Sequence, residues 1–486
     1  MRCRRRVERG PLPPERNGTL TFSPVPSIRP LGGPVRRQLV VALCVLTLLT
    51  TPAVHVAAAE DRPAETKEKI AAIAAELRID GISNDPSYGY TPDNPLAIGG
   101  IDLRTTGSAA ASETALRMAA FFSLATSLKS RPFRWQRERS CCPIKASTAF
   151  QGTGFIDIYV VGEEGERPFR IFVNHYESGP LQAPVGMVPF SSIGERDAFW
   201  AATDHFESRD FAAAADAFRP LADNGSIMAT FSLGLALLSG GERKDEAHHY
   251  FRRAAEMGHS GAQFFAGAAL RRGVDVRKDW ETGTAWLRTA AANGSAEARE
   301  KLALDLIRGH QTAEDPSEAA LLLWLAAEQG QADAQVAFGE ALITGRGIRQ
   351  NVPWGTVWLA IAKAAGHPLA AEFYHSATSR LSRDIRDAIE KRAADWRQKV
   401  RPSEVAIRAQ FGAQAGDPAA QFEMGRMLYN GVLMSRDIEA SLMFLVLASR
   451  NGNADAKLML DEMPNVTPEA MARAQVAADA WSDKQE

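Results

Sequence analysis

The sequence predicts a mainly α protein: an α-α superhelix of stacked helix pairs, preceded by a small α+β domain and a signal peptide. Three observations predict this. A glycine-ended phrase recurs as Ala254-Ala-Glu-Met-Gly258, Ala290-Ala-Ala-Asn-Gly294, Ala326-Ala-Glu-Gln-Gly330 and Ala362-Lys-Ala-Ala-Gly366, its glycines 36 residues apart. Alanine stands four residues after each glycine of the wider series, at Ala229, Ala262, Ala298, Ala334, Ala370, Ala420 and Ala456. Near the N-terminus, Arg36-Arg37 precede an apolar run that ends before Ala57-Ala-Ala59. A fixed period in this range means a repeat array, in which each unit buries its apolar face against the next.

The first half of the unit is a helix. Eight residues after the glycines stand Leu233, Ala266, Leu302, Phe338, Tyr374, Met424 and Leu460. With the alanines at four and the leucines at twelve (Leu237, Leu270, Leu306, Leu342, Leu428), they share one helical face. Nine residues on, Gly234, Gly267, Ala303, Gly339 and Gly425 leave room for a neighbouring backbone.

The second half is also helical. Asp279, Asp315, Asn351 and Asp437 stand where an N-cap should, their side-chain oxygens able to accept from the free N–H groups of the first turn. Pro316 is a preferred first residue. Four residues after the cap comes a small side chain (Gly283, Ala319, Gly355, Ser441), and three further a bulky one (Trp286, Leu322, Trp358, Phe444). The helix then stops at the signature glycine, which can turn left-handed.

Helix, glycine loop (Gly273-Val274, Gly345-Arg-Gly347-Ile348, Gly431-Val432), Asp cap, helix and Ala-Ala-x-x-Gly together resemble the Sel-one-like repeat, a relative of the tetratricopeptide repeat. The resemblance runs from about residue 195 to 486. The first unit departs from it, being short and without an aligned cap, and Trp324 falls two positions off the aromatic register. The resemblance implies a right-handed superhelix of helix pairs that binds other proteins, and it implies no activity. After Gly366 and Gly452 the small residue is lost, and helices ending in Trp396 and Trp481 follow a Ser or Thr cap, as capping helices do. The expected organisation is residues 1–59 as leader and signal peptide, 60–190 as a small α+β domain, 191–399 as one capped array and 400–486 as a second. The second array either docks on the first or flexes about Val400-Arg-Pro402.

Composition agrees with a folded chain of 486 residues, 45% apolar and 23% charged. The formal charge of -2 conceals a basic leader, because residues 1–59 hold nine arginines and two glutamates. Without them the chain carries 47 basic and 56 acidic residues, a net of -9, which argues against nucleic acid as the partner. The run Leu39–Leu49 is too short to cross a bilayer and, with Ala57-Ala-Ala59 before Glu60, reads as a cleavable secretory signal that leaves no stable membrane span.

Beyond the leader, Thr66–Leu77 and Ser112–Leu128 read as helices, and residues 154–161 and 168–176 as two strands joined by a turn. Tyr88-Gly-Tyr-Thr91, Ser140-Cys-Cys-Pro143, Asp157-Ile-Tyr159 and Asn174-His-Tyr176 resemble the leading domain of some exported bacterial proteins of the same repeat family. The mature chain keeps only Cys141 and Cys142, adjacent residues that either close a vicinal disulfide or stay reduced. Their spacing is not that of a metal site.

Asp157, His175 and a cysteine are the residue types of a nucleophilic site, so an envelope hydrolase or amidase in the N-terminal domain is the alternative function. The simpler reading makes Asp157 and His175 strand residues on a partly exposed face. No phosphate loop, Gly-x-Ser-x-Gly or His-Glu-x-x-His occurs in the array, so no catalytic, cofactor or metal residue is expected there. His248, His249 and His259 are expected at the surface, and Trp286 and Trp358 in the scaffold. The favoured function is an exported scaffold or adaptor of the cell envelope that holds a protein or peptide segment in the groove of its repeats. Gln263, Arg299, Gln335, Gln421 and Lys457, each one residue after a signature alanine, are the candidates for lining that groove. Assembly into homo-oligomers through the same groove is a further option.

Overall fold

A computed structural model describes residues 64–99, 110–127, 133–145, 153–163, 166–175, 181–241, 243–273, 276–309, 314–431, 433–464 and 466–482. The expected leader and signal peptide lie outside them. No described helix is long and apolar enough to cross a membrane.

The N-terminal part is α+β. In chain order it comprises α1 (Ala64–Glu76), β1 (Ile79–Ile82), β2 (Leu96–Ala97), α2 (Ala110–Ser123), β3 (Ala125–Ser127), β4 (Arg134–Lys145), β5 (Thr153–Gly162), β6 (Phe169–Asn174), β7 (Leu181–Ala183) and β8 (Met187–Pro189). One sheet has the order β2-β6-β5-β4, with β4 to β6 antiparallel and β2 parallel to β6; β1 pairs with β7, and β3 with β8. The two expected strands are β5 and β6. The second expected helix stops at Ser123 rather than Leu128, because Ala125–Ser127 pairs with β8. The charged stretch carrying the cysteines is a strand that its composition disguised. As an edge strand, β4 alternates polar residues toward solvent and is broken by irregularities at Arg137/Arg139 and Cys141/Pro143.

One face of the sheet, through Tyr159, Val161, Ile171 and Val173, packs on Met118, Phe121 and Phe122 of α2, and α1 covers the back of α2 through Ile70 and Ala74. The other face, through Ile156, Ile158 and Phe172, packs on both cysteines and on Leu433 from the far end of the chain.

The helical array begins with the pair α3 (Ile193–Glu207) and α4 (Phe211–Asp223). Then come α5 (Ile227–Gly240), α6 (Lys244–Glu256), α7 (Ser260–Arg272), α8 (Trp280–Ala292), α9 (Ala296–Arg308), α10 (Pro316–Glu328), α11 (Ala332–Thr344) and α12 (Val352–Ala364). The chain ends with α13 (Ala370–Thr378), α14 (Arg383–Gln398), α15 (Glu404–Gln414), α16 (Pro418–Asn430), α17 (Ile438–Arg450), α18 (Ala454–Glu462) and α19 (Pro468–Ser482). No strand occurs among the described residues between Ser226 and Trp396.

Local chemistry explains each element. Asp279, Asp315, Asn351 and Asp437 accept from the N–H groups of Thr282, Glu318, Trp354 and Ala440, capping the second helix of each pair. The short first unit has Arg243 at this place, with no side-chain cap. The small residues interlock backbone to backbone: a Cβ on Gly267 would stand 2.7 Å from the Gly283 carbonyl oxygen, and one on Gly355 2.6 Å from that of Gly339. Ser441 occupies the equivalent place and donates to the Gly425 carbonyl at 2.7 Å. Between these seams Trp358 is wholly buried, stacking edge-on against Phe338 and Trp396.

Residues on either side of 400–402 share a core. Ile407 of α15 packs with residues of α8 to α14, with Phe411 beside it, while Ala406, Ala409 and Ala413 pack with residues of α16, α17 and α19. Helices α14 and α19 follow Ser382 and Thr467, and each carries near its end a tryptophan, Trp396 and Trp481, packed on the helices before it.

Candidate polypeptide-binding surface

The turns that join one helix pair to the next carry a recurrent set of polar contacts. The residue after five of the seven signature glycines caps the next helix: Ser226, His259, Ser295, Asp417 and Asn453 accept from backbone N–H groups two or three residues on, whereas Gln331 makes no such bond and the helix after Gly366 starts uncapped at Leu369. His259 caps through Nδ1. Its ring is wholly buried and lies 4.1 Å from Phe231, so the expectation that it sits at the surface was wrong. Burial lowers its pKa to about 3, leaving it neutral. His248 is half-buried and His249 exposed.

The residues expected to line the groove divide four to one. Gln263, Arg299, Gln335 and Gln421 are buried, and only Lys457 is exposed. Gln263, Arg299 and Gln335 donate at 3.1, 2.9 and 3.2 Å to the carbonyls of Ala255, Ala291 and Ala327, the second alanine of each signature. Asn293 and Asn451 in turn donate to the side-chain oxygens of Gln263 and Gln421. Gln263, Arg299 and Gln335 are therefore clamps that satisfy the open C-terminal end of the preceding helix, and of the five only Arg299 lines the cavity described below. The signal was present in the sequence. A residue one position beyond the buried alanine lies about 100° round the helix, still on the side facing the previous pair.

The nucleophilic constellation is only partly assembled. His175 Nε2 lies 3.9 Å from Asp157 Oδ2 and 3.1 Å from the Tyr159 hydroxyl. Asp157 is forked by Arg137 at 2.9 Å through both oxygens and accepts from Ser140 Oγ at 2.7 Å. Both residues are buried, not on the partly exposed face expected of them. Burial, opposed by the Asp157 charge, lowers the His175 pKa to about 4. Cys141 and Cys142 are paired as a vicinal disulfide on the opposite face of the sheet, against Ile156 and Ile158, so the sheet stands between them and the Asp157–His175 pair. Among the described residues no cluster of His, Cys, Asp or Glu has the arrangement of a metal site.

A cavity of about 380 Å³ opens where the repeat turns face the N-terminal domain. Its repeat wall is built from successive turns, Ser260–Gly261, Gly294–Ala296 and Gln329–Gln331, with Arg401 and Glu404 closing one side. Arg299 reaches from the wall to Glu404 at 2.5 Å, a buried pair that ties α9 to α15. The opposite wall comprises Tyr90, Val185–Gly186 and the β5–β6 hairpin through Glu166, Phe169 and Arg170. Two stretches of the chain's own backbone thus run over the turns. Val185 stands next to Gly294, close enough that a Cβ there would meet its side chain at 3.0 Å. The Pro168 carbonyl accepts from the Arg401 N–H at 2.6 Å. Between them Arg167 pairs with Glu328, lies 4.0 Å over the Trp396 ring and donates to the Lys399 carbonyl at 3.1 Å. Further links join Arg426 to Asp93 and Arg139 to the Gly431 carbonyl.

Residues 227–259, 260–295 and 418–453 each match the Sel1 repeat model. The chain carries Sel1 repeats. Between the matched segments, α9 to α12 repeat the same alternation of helices, caps and clamps. Sel1 repeat proteins are in general protein-interaction scaffolds. No curated protein matches the chain.

Solved structures of Sel1 repeat proteins are similar to part of it. A protective antigen of uropathogenic Escherichia coli with an SLR fold is 24% identical over 56% of this chain, with a TM-score of 0.33; the chain spans 57% of its length. A Sel1 repeat protein from Oxalobacter formigenes is 21% identical over 59% of this chain and 97% of its own, with a TM-score of 0.31. A putative Sel1 repeat protein from Klebsiella pneumoniae is 18% identical over 44% of this chain and 97% of its own, with a TM-score of 0.21.

Proposed function

We propose that this chain is an exported scaffold or adaptor of the cell envelope that binds a protein or peptide segment over the turns of its Sel1 repeats. The observation that carries the reading is that two stretches of the chain's own backbone already lie there, one a turn and the other a hairpin tip. Val185–Gly186 and Glu166–Pro168 cross the turns at Gly294 and Gly330, and one of them is held by a main-chain hydrogen bond to Arg401. A surface that accommodates two unrelated stretches of polypeptide, beside an open cavity of about 380 Å³, has the shape and the donors and acceptors to take a third. Export is supported by Arg36-Arg37, the apolar run and the Ala57-Ala-Ala59 site.

The test is site-specific cross-linking in intact cells. A photo-reactive residue in place of Gln329, at the cavity, is expected to capture a defined partner that the same residue in place of exposed Arg288 does not. Equal capture from both positions, or none from any cavity-lining position, overturns the scaffold reading. Export predicts a mature N-terminus at Glu60, and a mature protein that retains Leu39–Leu49 sinks that part.

A further inference from the structure

The β5–β6 hairpin forms through strand pairing from Asp157–Val173 to Val161–Phe169. Its tip places Arg167 in a socket built by α10, α14 and the residues that follow α14. Glu328, in the last turn of α10, supplies the carboxylate. The Trp396 ring, at the end of α14, lies 4.0 Å beneath the guanidinium, and the Lys399 and Val400 carbonyls accept at 3.1 and 3.5 Å. Glu328 does not depend on the arginine for its position, because Trp324 Nε1 donates to its other oxygen at 3.3 Å. The arginine and glutamate side chains are only 9% and 8% exposed, so the guanidinium leaves water on entry.

The next two residues are also engaged. The Pro168 carbonyl takes the Arg401 N–H at 2.6 Å, and the Phe169 ring lies 5.2 Å from the Arg401 guanidinium. Side chain, main chain and side chain of three successive residues are thus held by repeat residues, which is how an extended peptide is read. A carboxylate, an aromatic face and carbonyls arranged around a planar fork suit arginine, and a lysine ammonium fits them poorly.

From this arrangement we infer that the socket of Glu328, Trp396 and the Lys399–Val400 carbonyls is a receptor for an arginine on an extended Arg-Pro segment. The chain's own Glu166–Phe169 tip is its resident ligand, and a partner presenting such a segment exchanges with it. The inference rests on the scaffold reading and specifies the partner's chemistry. A buried ion pair yields little net stability over apolar packing of the same volume and much selectivity between partners, which suits a latch. Tethering gives the resident tip an effective concentration of order millimolar, so it suppresses binding of a free peptide without abolishing it.

The test uses the full mature chain and the labelled peptides acetyl-Glu-Arg-Pro-Phe-amide and acetyl-Glu-Lys-Pro-Phe-amide. Arg167→Ala is expected to bind the arginine peptide at least tenfold more tightly than the wild type. Adding Glu328→Gln to that variant is expected to cost tenfold or more, as is changing the peptide's arginine to lysine. Circular dichroism and thermal melting establish that each variant is folded. Should Arg167→Ala not fold, Arg167→Lys is judged by the same comparisons. Equal binding by wild type and variant, indifference to Glu328→Gln, or indifference to lysine each overturns the inference. If the peptides fail while the Gln329 cross-link to a partner persists, the arginine receptor alone is refuted; if the cross-link is also lost, the scaffold reading falls with it.

Discussion

Lowering the pH from neutrality to about 5 is expected to remove about 2 kcal/mol of stability through His259 alone. Its ring is wholly buried against Phe231, and Nδ1 accepts the Ala262 N–H, so the proton sits on Nε2. A second proton would have to go to Nδ1, breaking the cap and placing a charge among aromatic rings. Burial accordingly lowers the pKa to about 3 from the ordinary 6.5. Because the folded value is the lower one, this contribution is complete above about pH 6.5 and is lost as pH falls, since only the unfolded chain binds the proton. At pH about 5 the deficit is roughly one and a half pH units at about 1.4 kcal/mol each. His175, lowered to about 4, acts in an overlapping window. Comparison with His259→Asn isolates the first group, because asparagine caps as well and does not titrate. Urea unfolding of both proteins at the two pH values is the assay. The wild type should lose about 2 kcal/mol more than the variant, and parallel pH profiles would refute the reasoning.

Three other perturbations follow from the same geometry. Gly347→Val should lower stability by at least about 2 kcal/mol in a thermal melt, because the backbone there is left-handed at φ +74° and a Cβ would stand 1.8 Å from the Pro316 carbonyl oxygen. Glu404→Gln should cost about 3 kcal/mol by leaving the buried Arg299 guanidinium without its counter-charge, and in a double-mutant cycle Arg299→Met should recover part of that loss. Replacing Cys141 and Cys142 together by serine should change stability by less than about 1 kcal/mol in urea unfolding, because a bridge between neighbours closes no chain loop.

Most of the helical array was legible because its signals are local. The Asp and Asn caps, the glycine stops and the small-residue seams each act within one helix pair, so the 36-residue period displays them repeatedly. The strand β4 was not legible. On a sheet edge its alternation runs through arginines and glutamates and is interrupted twice, which obscures the period of two. Gln263, Arg299, Gln335 and Gln421 were recognisable as a series, but polarity alone suggested a surface. The actual partner of the first three, an open helix-end carbonyl, becomes apparent only once the preceding helix is placed. His259 was misjudged for the same reason: nothing nearby in sequence announces that Phe231 covers it.

By itself the sequence determined that this chain stacks helical hairpins, where each begins and ends, and which side chains fill the seams, since those are decisions taken over a few tens of residues. The tertiary structure alone decided that the N-terminal domain lies across the repeat turns, that Arg299 meets Glu404 and Arg167 meets Glu328, and that the cysteines and the Asp157–His175 pair occupy opposite faces of one sheet. The ion pairs join residues 105 and 161 positions apart. A charged side chain carries no mark of its distant partner, and which one it finds depends on how many turns of superhelix lie between them.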